Sequence, residues 1–275
     1  METSCRAPRP RPRVDTGRPA PDQHPSRPRI DIVGAAAIAA IAVGINLALQ
    51  LRTSTTTGTV GTALLAAGAT GWFWSHHRRA DPFLPKAVVA RAVTWQTGLT
   101  AAAIPAAYFA LLIAIPAILT ERHGAGRVTV GLLLFPAALA GAGVGPIARS
   151  LRRRLSEPLI AAVGLTLAAV ALLAAASLVN QPVGLAAAFA LVAVSFGLGQ
   201  SALLNVLTRA TPESERGAAL AVFMVVFFVG GSIGSTTLTA LADVTSLRTA
   251  VALIASLPAI SAVFAWRVLS ANTAT

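Results

Sequence analysis

Residues 158–179 form the apolar stretch PLIAAVGLTLAAVALLAAASLV, which contains no charged residue. Its length matches the roughly 20 apolar residues that an α-helix needs to cross the hydrocarbon core of a bilayer. Ala, Leu and Val follow one another without the alternation of a barrel strand, and a backbone in lipid must satisfy its hydrogen bonds internally. The stretch is therefore predicted to be a transmembrane helix.

Apolar segments of this kind fill most of the chain. Of the 275 residues, 55% are hydrophobic and only 12% are charged, and the mean hydropathy is +0.70, which excludes an ordinary soluble domain. The predicted fold class is all-α, a polytopic membrane protein. Its eight predicted transmembrane segments are residues 30–51, 57–75, 96–119, 128–148, 158–179, 183–207, 217–241 and 248–268.

The segments divide the chain into a tail, a helix pair and a bundle. Residues 1–29 are rich in Pro and Arg and have no apolar period, so we expect a disordered tail. The first apolar run begins at Ile30 and is long enough to span, which argues against a cleaved secretory signal. Two central helices are expected over 30–76, a linker over 77–95, a six-helix bundle over 96–268 and a short tail over 269–275.

The distribution of basic residues predicts the orientation. The net charge is +12, and 18 of the 22 Lys and Arg residues fall in the tails and joints on one side of the predicted topology. Cytoplasmic loops carry this excess, so both tails and the 77–95 linker are expected in the cytoplasm of a multi-pass cell-membrane protein. Because topology accounts for the charge, we predict a lipid bilayer as the surroundings and no nucleic-acid partner.

The sequence offers no catalytic or metal-binding constellation. Residues Gly230–Gly234 spell Gly-x-Ser-x-Gly, but a nucleophile elbow needs a strand-to-helix turn and a nearby histidine base. The histidines fall in the tail or the joints, and Cys5 is the single cysteine. We therefore expect a protein that is not an enzyme and needs neither a cofactor nor a metal.

A set of motifs follows the predicted helices in a fixed order. The fourth segment ends in Gly145–Arg154, whose arginines are Arg149, Arg152, Arg153 and Arg154. The others are Asp31-x-x-Gly34, Asp81-Pro82-Phe83-Leu84, Gly197-Leu198-Gly199, Thr211–Ala219 and Gly230–Gly234. In this order they resemble the major facilitator superfamily, and within it the fourteen-helix drug:proton antiporters. The basic loop departs from that pattern, because Ala148-Arg149 stands where an acidic residue is expected.

The resemblance implies a function and a missing part. It matches the central helix pair and the second six-helix bundle of such antiporters, which export hydrophobic drugs or antibiotics by alternating access. The first bundle has no counterpart here and would come from another chain, from a second copy, or not at all. The alternative is a non-transporting remnant or a structural membrane protein.

Polar residues inside the predicted helices are the candidates for a substrate cavity. In the superfamily the first and fourth helices of each bundle line the cavity, and here these are the third and sixth predicted segments. Lone polar groups in a bundle also serve as interhelical hydrogen bonds, so both roles stay open. The candidates that bind a small hydrophobic substrate are Tyr108, Gln200, Ser201 and Asn205.

Two further expectations concern glycines and acids. Gly141/Gly145 and Gly230/Gly234 are pairs spaced for close helix packing, either within the bundle or toward the absent one. All Asp and Glu residues of the apolar region fall at helix ends or joints, so the sequence predicts no buried titratable group. A proton site would then belong to the other bundle.

Overall fold

The computed structural model describes residues 32–48, 55–78 and 86–269, which all belong to the compact unit Asp31–Thr275. The predicted N-terminal tail, the chain after Leu269, Asp31 and the Asp81–Leu84 motif lie outside the described residues. The described part is helical throughout: α1 Ile32–Ala48, α2 Thr55–Arg78, α3 Lys86–Ala90, α4 Ala92–His123, α5 Arg127–Ala142, α6 Val144–Arg152, α7 Glu157–Ser177, α8 Pro182–Ala210, α9 Arg216–Val244, α10 Leu247–Ile254 and α11 Ser256–Phe264, with a 3-10 turn at Glu213–Glu215 and a π-helical turn at Ala265–Leu269.

Six helical stretches among the described residues are long and apolar enough to cross a membrane. They are Ala92–His123, Arg127–Arg152, Glu157–Ser177, Pro182–Ala210, Glu213–Val244 and Leu247–Arg267. The prediction of an all-α polytopic fold is confirmed. Helices α1 and α2 pack against each other as a hairpin, but α1 has 17 described residues and α2 carries many Thr and Gly. That these two helices span the membrane stays a prediction.

The loop expected after the fourth segment is largely helical. The helix bends at Gly143 and continues as α6 to Arg152, so the basic residues Arg149 and Arg152 lie on a helix. The reason is amphipathic spacing, because Val144, Ala148 and Leu151 turn inward while Arg149 faces out. Hydropathy alone predicts an end at residue 148, directly before the first arginine.

The core of the bundle has two layers along its axis. One layer joins the first half of α4 to α7, α8 and α9 around Phe223 and Phe227. The other joins the second half of α4 to α7, α8 and α10 around Leu111 and Leu172. The first layer lies toward the end where α6 and α8 finish and α7 and α9 begin. We call it the basic end, because Arg149, Arg152, Arg153, Arg154, Arg209 and Arg216 lie there.

Helices α4 and α9 run parallel and touch along their backbones. Gly230 lies against Ala102, and Gly234 lies against Ala106, one turn further along both helices. A Cβ at Gly230 would come within 2.6 Å of Ala102 Cα, closer than real Cβ atoms approach other atoms. Glycine is therefore required here by close approach.

Candidate functional site

An aromatic wall lies at mid-length of the bundle between α4 and α8. The ring of Tyr108 on α4 stacks on Phe189 at a centroid distance of 5.4 Å and meets Phe196 at 5.0 Å. The Phe196 ring in turn meets Phe227 of α9 edge-on at 5.3 Å. Such tilted and edge-on pairs are the arrangements that aromatic quadrupoles favour. The half-buried Tyr108 thus marks where three helices meet.

The hydroxyl of Tyr108 remains available for a ligand. Among the described residues, no protein group forms a hydrogen bond to its oxygen. A phenol hydroxyl can both donate and accept a hydrogen bond, whereas the ring offers an apolar face. This side chain therefore suits a ligand that is mostly hydrophobic and has one polar group.

Gln200 and Ser201 lie one turn further along α8. Gln200 is half-buried and, at i+4, shares the face of Phe196. The Ser201 hydroxyl donates to the Leu198 carbonyl oxygen at 3.0 Å, so its proton is already used. The structure thus places Gln200 on the face of α8 that meets Tyr108 and gives Ser201 a local partner.

Asn205 belongs to a different group, at the basic end. Its amide nitrogen donates to Glu157 Oε1 at 3.3 Å. Arg152 Nε lies 3.3 Å and Arg209 3.5 Å from the same oxygen. Three helix ends, those of α6, α7 and α8, therefore meet on one carboxylate.

Glu157 is the residue that the sequence analysis missed. It starts α7 after Ser156, as predicted for a helix end, but its side chain is only 7% exposed. The expectation that the chain has no buried titratable group is wrong here. A carboxylate in the first turn of a helix is stabilised by the positive end of the helix dipole, and its arginine neighbours add to this. The sequence signal that indicates this role is Ser156-Glu157-Pro158. It is a common start of a helix, and it places the carboxylate directly after the arginine cluster.

The four predicted arginines have different surroundings. Arg152 is bound to Glu157, whereas the side chains of Arg149, Arg153 and Arg154 are exposed. A second ion pair at the same end joins Arg91, just before α4, to Glu215 at 2.8 Å. The basic end is therefore held by two carboxylates that link segments distant in sequence, Glu215 through Arg91 and Glu157 through Asn205 and Arg209.

The two glycine pairs also differ. Gly230 and Gly234 pack inside the bundle against Ala102 and Ala106 of α4. A Cβ at Gly141 would meet Ala193 at an ordinary 3.7 Å, and one at Gly145 would find no described atom within 4 Å. Of the two alternatives for Gly230/Gly234, packing within the bundle is the arrangement seen.

The Gly-x-Ser-x-Gly run has no elbow geometry. It lies within the continuous helix α9, and Ser232 Oγ donates to the Phe228 carbonyl oxygen. Within residues 32–48, 55–78 and 86–269, no group of three His, Cys, Asp or Glu side chains could hold a metal ion.

A family model described as Major Facilitator Superfamily matches residues 32–235 and, in a second alignment, residues 98–274. The chain belongs to the major facilitator superfamily. It is accordingly a multi-pass membrane transporter of the facilitator type and not an enzyme. No curated protein matches the chain.

Proposed function

We propose that this facilitator exports small hydrophobic compounds, including drugs or antibiotics, and that it belongs to the fourteen-helix drug:proton antiporter branch. The observation that carries the proposal is the aromatic wall, in which Tyr108 presents a ring and a free hydroxyl between α4 and α8. Sites for drug-sized ligands are mostly apolar and aromatic with a few polar groups, and Gln200 supplies a second such group nearby. The ordered motifs of the sequence support the branch.

Alternating access requires a second bundle opposite this one. Transporter sites of this kind lie between repeats that rock against each other, and the described residues contain one bundle of six spans. We propose that another chain or a second copy supplies the other wall of the cavity. Glu157 is held by two arginines and an amide at the basic end, so we assign the antiport proton site to that other bundle.

Tyr108→Ala should weaken efflux, whereas Tyr108→Phe should keep most of it. An aromatic contact contributes about 0.5–1.5 kcal/mol beyond its area, which is a factor of roughly 2 to 12 in affinity for an aromatic dye. The measurement is ethidium accumulation in cells that lack their main efflux pumps, at matched expression levels. Phe264→Ala, at a partly exposed ring of α11, is the control and should change nothing. Unchanged efflux in Tyr108→Ala would show that Tyr108 does not line the substrate cavity.

The non-transporting alternative gives a different result. If the chain is a remnant or a structural protein, neither its expression nor its deletion changes drug accumulation. Co-expression with a neighbouring reading frame that encodes six further spans is the decisive condition, because a split transporter would gain activity there. No gain with such a frame and none with this chain alone would contradict export.

The proposed orientation places both termini and the basic end in the cytoplasm. A green fluorescent reporter fused after Arg154 should then fluoresce, and alkaline phosphatase fused at Ala125 should be active, because each reporter works on one side only. The joint between α4 and α5 contains Gly124 in the left-handed conformation (φ 60°), so the chain turns sharply there. An inactive phosphatase at Ala125, together with fluorescence of a green fluorescent reporter at the same position, would show that the topology is the opposite one.

A further inference from the structure

A separate cavity of about 580 Å³ lies between the α1–α2 hairpin and the pair α4 and α9. Trp72 and Trp95 stand at one end of it, and Ile45 and Val229 at the other. None of the cavity candidates from the sequence lines it. It is therefore distinct from the aromatic wall at Tyr108.

The length of the cavity matches the thickness of the hydrocarbon region of one leaflet. Along α1 its lining runs from Ala35 to Ile45, which corresponds to about 15 Å of helix and about half of a 30 Å hydrocarbon core. Trp95 and Val222 lie near the starts of α4 and α9, so the Trp end is the one toward the basic end. In the predicted eight-span topology, the cavity therefore lies in the leaflet on the basic side.

The lining fits a hydrocarbon chain. All lining side chains are Ala, Ile, Leu, Val or Trp, and the Trp95 indole N–H already donates to the Val89 carbonyl oxygen at 2.8 Å. Drug sites carry polar groups that fix the orientation of the ligand, and this lining contains none beyond its two indoles. An empty apolar groove in lipid would lose dispersion contacts along its walls, and a flexible chain restores them.

Basic residues flank the Trp end. Lys86 lies three residues before Val89 on α3 and so shares its face, and Arg78 ends α2 six residues after Trp72. Both side chains are exposed and positively charged, and both lie at helix ends on the Trp side of the cavity. Tryptophans at this depth are typical of the interface between hydrocarbon and headgroups.

We propose that this cavity binds one acyl chain of an anionic phospholipid, whose phosphate contacts Lys86 and Arg78. The chain of the lipid fills the groove between the hairpin and the α4–α9 pair. Each basic residue near a membrane surface attracts an anionic lipid by about 1 kcal/mol, which is a factor of roughly 5 in affinity. Occupancy joins the hairpin to the bundle through a lipid rather than through side chains alone.

The test uses tryptophan quenching in the full chain. Trp72, Trp74 and Trp266 are replaced by Phe, and the protein is placed in phosphatidylcholine vesicles that contain either brominated phosphatidylglycerol or brominated phosphatidylcholine. Bromine on an acyl chain quenches a tryptophan that it touches. We expect Trp95 to be quenched by the brominated phosphatidylglycerol at a mole fraction about fivefold or more lower than by the brominated phosphatidylcholine.

Two variants test separately the groove that binds the acyl chain and the basic residues that contact the phosphate. Ala39→Phe should fill the groove and abolish the selective quenching, whereas Ala138→Phe on the exposed surface of α5 should not. Lys86→Gln with Arg78→Gln changes only exposed side chains and should remove the preference for phosphatidylglycerol. Equal quenching by both lipids in the parent protein, or selective quenching that survives the two Gln substitutions, would overturn the proposal even if the Ala39 variant fails to fold.

Discussion

Gly234→Val should strongly destabilise the bundle. A Cβ at this position would come within 2.7 Å of the Ala106 carbonyl carbon, which is backbone in the middle of α4 and cannot move aside. Overpacking a core costs about 1–3 kcal/mol where side chains can yield, and a clash with backbone is at the upper end or beyond. Because folded proteins are stable by only about 5–15 kcal/mol, we expect a large loss of monodisperse protein in detergent and a melting temperature at least 10 °C lower for what remains.

Glycines elsewhere provide matched controls for this result. Gly145→Ala adds a Cβ that meets no described atom within 4 Å, and Gly141→Ala adds one at an ordinary contact distance from Ala193. Alanine is also the better helix former by about 1 kcal/mol, so both variants should be neutral or slightly more stable. A Gly234→Val protein as stable as Gly141→Ala would show that α4 and α9 are not in contact.

Glu157→Ala should lower the free energy of unfolding by about 2–3 kcal/mol. Removing the carboxylate leaves Asn205 and Arg152 without their shared partner and removes a negative charge from the start of α7. Full loss of a buried ion pair costs about 3–5 kcal/mol, but the Arg152 side chain is 31% exposed and the Arg209 side chain 74%, so water compensates part of it. Glu157→Gln keeps an oxygen for Asn205 and should cost less.

Partner and control variants test the location of this effect. Arg209→Gln should change stability by no more than about 1 kcal/mol, because its pair with Glu157 is solvent-exposed on the arginine side. Glu213→Gln, at an exposed position of the 3-10 turn, should be neutral. Thermal unfolding of the purified variants gives the ranking, and a Glu157→Ala protein no less stable than Glu213→Gln would show that the carboxylate is not buried.

The sequence predicted the helices of the bundle because lipid imposes one length and one secondary structure on each span. Residues 158–179 nearly coincide with α7, Glu157–Ser177, since both ends carry polar or helix-breaking residues. The ends of the helices were less predictable where a helix continues beyond the apolar segment. There α6 continues through Arg149 and Arg152 by its amphipathic face, and hydropathy gives no signal for this.

The site was predicted less completely than the fold. Tyr108 and Gln200 lie on the two helices expected to line a cavity, and that role stays a prediction. Asn205 lies four residues after Ser201 and so on the same face of α8. It contacts Glu157, however, because it is one turn closer to the basic end. A carboxylate at a helix end looks solvated in a linear sequence. Its burial arises only when α6, α7 and α8 converge, which no local pattern encodes.

The contact between α4 and α9 joins two places that are chemically unrelated. At Gly230 and Gly234 the two backbones meet directly, with nothing larger than an alanine methyl group between them, so a movement of one helix there carries the other with it, and we call the pair a strut. Tyr108 projects from one side of this strut, and the groove lined by Leu99 and Val229 lies on another. A tilt of the strut displaces both at once. With a lipid in the groove, we expect the composition of the surrounding leaflet to change the rate at which the bundle changes orientation, without any lipid approaching the aromatic wall.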